Sequence, residues 1–212
     1  MESARWKHTL GAVGVFAMAM GFLEAAVVVY LRREFYPQGF AFPLSAMPQD
    51  VVHTEIAREA ATIVMLGAVG WIAGRSTLGR LAFFAFAFAV WDLFYYIFLK
   101  IAVDWPASLL TDDILFLIPV PWIGPVLAPV IVSIVLIGGS ILVLRREAHG
   151  RPVIIRPLRW LFICLGGLLI VASFLLDTGA ALHQQLPGPF HWPIFSAGIL
   201  VGMSSFVSAL EP

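Results

Sequence analysis

Charge is scarce in this sequence. Only 12% of its 212 residues are Asp, Glu, Lys or Arg, against roughly 25% in soluble domains, and mean hydropathy is +0.93. That scarcity excludes an ordinary water-soluble fold. Neither sign is in excess, with Lys+Arg and Asp+Glu at 13 each, so net charge points to no nucleic-acid partner and to no acidic lipid. Cysteine is limited to Cys164, which excludes an intrachain disulfide framework and a Cys-rich zinc site. It sits in the apolar run from Leu161 to Val171 and reads as a small core residue. The familiar catalytic signatures are missing too. There is no Gly-x-Ser-x-Gly elbow, no His-Glu-x-x-His and no repeated Glu-x-x-His of the di-iron bundles. Internal repeats, linkers and low-complexity tracts are absent, so residues 1–212 read as one transmembrane domain.

What the chain does have is long apolar runs. Stretches over 9–31, 54–74, 81–103, 126–144, 158–176 and 193–209 each approach the roughly 20 residues needed to cross about 30 Å of hydrocarbon. The expected fold is all-α, a polytopic bundle of about six transmembrane helices. The basic-then-apolar N-terminus looks like a signal peptide, but its apolar run continues to Leu31, so it is read as a retained first helix. Between the third and fourth spans, Ile114 to Trp122 is apolar, too short to cross and broken by Pro119 and Pro121. It reads as an interfacial or re-entrant segment roofing the bundle.

Basic residues set an orientation. Arg5 and Lys7, then Arg75 and Arg80, then Arg145, Arg146, Arg151, Arg156 and Arg159 fall on one side, which the positive-inside rule makes cytoplasmic. Both termini are then expected in the cytoplasm and the chain in a bacterial-type inner membrane. The acids are distributed oppositely. Glu34, Asp50, Glu55, Glu59, Asp104, Asp112, Asp113 and Asp177 fall on the outer side with His53, His183 and His191, leaving Glu2, Glu147 and Glu211 inside.

Depth singles out a few of these groups. At about 1.5 Å per residue, Glu24, Glu59 and Tyr96 share a layer roughly 8 Å below the outer surface. Asp92 lies one turn deeper than Tyr96 and Lys100 one turn above it, a stripe at the four-residue spacing that aligns side chains on a helix. A carboxylate facing lipid costs about 2.5 to 3.5 kcal/mol, so intramembrane acids normally face the interior and mark a site. Glu24, Glu59, Asp92, Tyr96 and Lys100 are therefore the candidate catalytic residues. The alternative is a buried ion-pair network, with Arg58 serving Glu55 and Lys100 serving Asp92 or Glu24. Carboxylates and imidazoles are also ligands for iron, manganese or zinc. His53, Glu55, Glu59, Glu24, Asp112, Asp113, His183 and His191 form the candidate metal set.

The resulting expectation is a metal-binding membrane enzyme acting on a lipid-soluble or periplasmic small substrate, its site in the first three helices and the last three serving as scaffold. A proton- or cation-coupled carrier or channel using Glu24, Glu59 and Asp92 is the second reading. A non-catalytic subunit of a larger membrane complex, or of a homo-oligomer, is the third. The expected surroundings are the lipid bilayer and a small molecule or ion.

Overall fold

The computed structural model describes residues 2–210, with side chains from Trp6 onward. The side chains of Glu2 and Arg5, and all of Glu211, lie outside the described residues. The order of elements is α1 (Glu2–Phe35), α2 (Gln49–Ala73), α3 (Thr77–Val103), β1 (Asp112–Phe116), β2 (Trp122–Pro125), α4 (Leu127–Ala148), α5 (Pro157–Leu175), α6 (Thr178–Leu182) and α7 (Trp192–Leu210). All of the helices except the short α6 are long and apolar enough to cross a membrane, giving six candidate spans in a multi-pass membrane protein.

Helix ends reach further than the apolar runs. The α1 helix continues through Arg32 and Arg33 to Phe35, and α2 begins at Gln49, so His53, Glu55, Arg58 and Glu59 all project from regular helix. At the start of α3, Ser76 Oγ accepts the Gly79 N–H at 2.8 Å, an N-cap that satisfies one orphan donor. At its end Asp104 adopts a left-handed φ of 53° and closes on the Lys100 carbonyl. This helix is the axis of the bundle, because α1, α2 and α4 all pack on it. Its alternation of Ala and Phe over 82–89 gives small residues for close approach and rings to fill the space between helices. Gly21 of α1 shows the closeness, since a Cβ there would lie 2.8 Å from the Trp91 carbonyl oxygen. Val13, Ala17, Leu66, Phe83, Phe86 and Trp91 make the main core between these helices.

The α5 and α7 helices pair chiefly with each other. Gly166 faces Gly198 and Gly202 so tightly that a Cβ on it would meet the Gly198 oxygen at 2.7 Å, the small-residue contact expected where apolar solvent provides no driving force between helices. Their other main attachment is the hairpin.

The segment between α3 and α4, expected to be interfacial or re-entrant, forms a β-hairpin. Asp113 pairs with Gly124 and Ile114 with Ile123 in an antiparallel two-stranded sheet, with an irregularity before Phe116. Pro119 and Pro121 fall in the connection, where missing N–H groups cost no ladder bond. Strand pairing satisfies the backbone of an apolar stretch too short to be a spanning helix. The Val126 N–H to Thr111 oxygen bond at 3.0 Å and the Leu127 N–H to Leu109 oxygen bond at 2.7 Å tie the hairpin to the start of α4. An aromatic cluster secures its other flank, with Trp122 stacked on Phe174 at 6.2 Å and Phe174 against Phe190 at 5.5 Å.

Candidate functional site

Three transmembrane helices meet under the hairpin, two of them joined through one cation. Arg58 of α2 contacts Glu24 of α1 through Nη1 and reaches Glu55 through Nε and Nη2, each at 2.8 Å from Oε2. Glu55 and Arg58 stand one turn apart, a spacing that lets both project on one face, and that face turns toward α1. Two carboxylates thus share a guanidinium whose rigid fork suits such double pairing.

Glu59 is treated differently. Its neighbour Arg58 lies close enough to act on it electrostatically, as do Glu24 and Glu55, yet the hydrogen bond it receives comes from the hairpin. The Leu117 N–H donates to Glu59 Oε2 at 2.8 Å. Among the described residues no Lys, Arg or His side chain forms an ion pair with it.

A second pair sits where the hairpin meets α1 and α3. Arg32 Nη2 lies 3.2 Å from Asp113 Oδ1, and the Tyr96 hydroxyl donates to Asp113 Oδ2 at 3.3 Å. The guanidinium carbon of Arg32 also rests 3.8 Å from the Trp105 ring and 4.4 Å from Phe40, cation–π contacts that strengthen when water is excluded. Asp113 is only 2% exposed, and burial pushes its carboxyl up from the ordinary 3.8 to about 6, against the opposing pull of Arg32 and of the Ile114 and Tyr96 hydrogen bonds. One Arg32 nitrogen, Nη1, is buried without an acceptor. Tyr95 lies within electrostatic range of both groups, of Glu24 and Arg58 on one hand and of Arg32 and Asp113 on the other.

The stripe of α3 does not act as one unit. Tyr96 joins the hairpin, but Asp92 is buried toward α4, where the Ser133 hydroxyl donates to its Oδ2 at 2.8 Å. Lys100 serves neither Asp92 nor Glu24. It is exposed, pairs with Asp104 Oδ1 at 2.7 Å and donates to the Pro106 oxygen at 3.1 Å. The cause is its place on the last turn of α3, where its long stem follows the chain as it leaves the helix. Cys164, expected in the core, is exposed on α5.

The candidate metal ligands are dispersed. His53 is exposed on α2. His183 is also exposed, its Nδ1 lying 2.8 Å from the Gly179 oxygen one turn back. His191 Nε2 lies 3.7 Å from Asp177 Oδ2 beside the aromatic cluster. Asp112 is half-buried, its carboxyl raised first by burial and then by Asp177. Glu24 and Glu55 are turned to Arg58, Glu59 to Leu117 and Asp113 to Arg32. No three His, Cys, Asp or Glu side chains come together as a metal site among the described residues.

Sequence reasoning missed Arg32 as a site residue, because a basic residue beside Arg33 at a helix end reads as an interfacial anchor. It missed Ser133 and the Leu117 N–H altogether, since neither a lone serine in an apolar span nor a backbone donor carries any pattern. No family model, no curated protein and no solved structure matches the chain.

Proposed function

We propose that this chain is a membrane enzyme that acts on a small periplasmic or lipid-soluble substrate by proton transfer at Glu59, beneath the hairpin. The observation that carries this reading is the partnership of Glu59. An acid kept only to hold helices together would take the nearby guanidinium, because an uncompensated buried charge is costly. Arg58 is instead committed to Glu24 and Glu55, and Glu59 is left with one backbone donor. A carboxyl so placed can take or release a proton at modest structural cost. Arg58 fixes the two flanking acids, and Arg32 with Tyr96 anchors Asp113, and with it the hairpin over the site. The hairpin side faces the periplasm and the termini face the cytoplasm, on the strength of the arginine bias.

The metal-dependent form of this reading, with iron, manganese or zinc, draws no support from the geometry. Arg58 already holds one oxygen of each of two of the ligands, Glu24 and Glu55. A proton-coupled carrier is the second reading, favoured by Asp92, which sits near the middle of α3 without a basic partner, as coupling acids do.

Lipid-soluble and periplasmic metabolites should be profiled in cells producing wild-type protein or Glu59→Gln at equal abundance. The expected result is a substrate and product pair whose ratio changes with wild type and stays at background with Glu59→Gln. Identical profiles at equal abundance would overturn the assignment.

A further inference from the structure

Beside the hairpin, α3 borders a groove of about 480 Å³, walled by α3 and α4 on one side and by α5 and α7 on the other. Ala85, Leu136, Gly167 and Met203 represent its four walls, with Trp160 toward one end and Trp122 of the hairpin at the other. On α4 the lining runs from Pro129 to Val143, about 21 Å at 1.5 Å per residue. It therefore follows the helices through much of a hydrocarbon layer of about 30 Å. The groove exists because α5 and α7 spend their small residues on each other and meet α4 only sparsely.

Its chemistry is selective. Among the described residues no Lys, Arg or His lines it, whereas Asp92 does, beside Ser133. Ser133, 1% exposed, donates to Oδ2 of Asp92, and Oδ1 receives no hydrogen bond from any described residue. Asp92 stands 15 positions after the first residue of α3 and 11 before the last, about 22 Å and 16 Å from its ends. A ligand group meeting Asp92 is thus held well inside the membrane. Phosphate headgroups are disfavoured there by the lack of a cation, and an ammonium by its own desolvation. A neutral hydroxyl meets both conditions, donating to Oδ1 while its hydrocarbon body lies along the groove.

We propose that this groove binds a long-chain, lipid-soluble alcohol, its hydroxyl donating to Asp92 and its chain lying between α4 and α5. The inference concerns binding and stands apart from the reading of Glu59, so either can fail alone.

The test uses full-length protein in lipid nanodiscs, a diazirine analogue of hexadecanol as photoprobe, and peptide mapping of the labelled sites. Unlabelled hexadecanol and methyl hexadecyl ether, which lacks the donor, serve as competitors. Labelling is expected on groove residues of α4 and α5, and the ether should compete about fivefold more weakly, the usual worth of one hydrogen bond. Gly167→Leu, at a glycine where an added Cβ would have no atom within 4 Å, should narrow the groove and reduce labelling. The pair Asp92→Leu with Ser133→Ala removes both polar partners together and so preserves folding, and should erase the difference between the competitors. Three results would overturn the proposal. These are equal competition by alcohol and ether in wild type, labelling unchanged by Gly167→Leu as for bulk lipid only, and crosslinks through the groove to a second copy of the chain in place of lipid labelling.

Discussion

The Leu117 N–H donates to Glu59 across a separation of 58 residues at 2.8 Å, so the connection of the hairpin is bonded directly to a carboxyl of α2. A backbone donor makes that bond whatever the side chain at 117, so it survives Leu117→Ala and is removed by Leu117→Pro. Glu59→Gln keeps an oxygen to accept it. This variant should therefore insert and melt close to wild type while losing the proposed activity, and thermal unfolding with metabolite profiling reads both. A large drop in melting temperature would show that Glu59 serves mainly to hold the fold.

Arg58 is expected to behave oppositely. Removing it by Arg58→Met strands Glu24 and Glu55, and breaking a buried pair in this way costs about 3 to 5 kcal/mol, somewhat less here because Arg58 is 22% exposed. Adding Glu24→Gln and Glu55→Gln should return most of the lost stability. Lys100→Met should change nothing measurable, because its partner Asp104 is fully exposed. A heat-labile Lys100→Met protein would contradict the assignment of that side chain to the surface.

Asp113 predicts a pH dependence with a definite sign. Its carboxyl rises from 3.8 to about 6 on folding, so between those values the folded state binds the proton more tightly than the unfolded one. Its contribution to stability is then fully present below about pH 4 and is lost as pH rises through about 6. Asp113→Asn mimics the protonated group. Melting curves in nanodiscs should show wild type losing ground to Asp113→Asn between about pH 4 and 6 and running parallel above that. The opposite trend would mean that Arg32 outweighs burial.

Orientation can be measured by thiol labelling in a Cys164→Ser background, which is needed because Cys164 is exposed. Leu109→Cys, beside the hairpin, should react with an impermeant reagent in intact cells. Arg151→Cys, in the link between α4 and α5, should react only after permeabilisation. Labelling of Arg151→Cys in intact cells would reverse the side assigned to Glu59.

Metal analysis bears on the mechanism. Protein purified without chelators should carry iron, manganese and zinc only in sub-stoichiometric amounts. A stoichiometric metal that disappears in Glu59→Gln would restore the metal-dependent form of the enzyme.

Some of the site was legible before folding was considered. Spacing alone placed Glu24, Glu59 and Tyr96 near one level, because a helix has a fixed rise, and the structure sets Glu24 and Glu59 within electrostatic range of each other. The pairing of Arg58 with Glu55 was legible from their spacing. Its second partner, Glu24, and the turn of Lys100 to Asp104 were not. Which pair forms depends on side-chain direction and on how far each helix is rotated about its axis, and composition does not encode that rotation.

The sequence by itself determined that the chain builds six apolar helices, because the hydrocarbon thickness sets a length that apolar runs either reach or miss. That Gly166 meets Gly198 and Gly202 where α5 and α7 approach closely came from the structure. Only the tertiary structure decided that Asp112 to Pro125 becomes a hairpin, that Asp113 turns to Arg32 and that Asp92 turns away to Ser133. Each of those outcomes is a contact between segments far apart in the chain. Its energy depends on what the partner segment leaves unpaired, which exists only once the helices have packed.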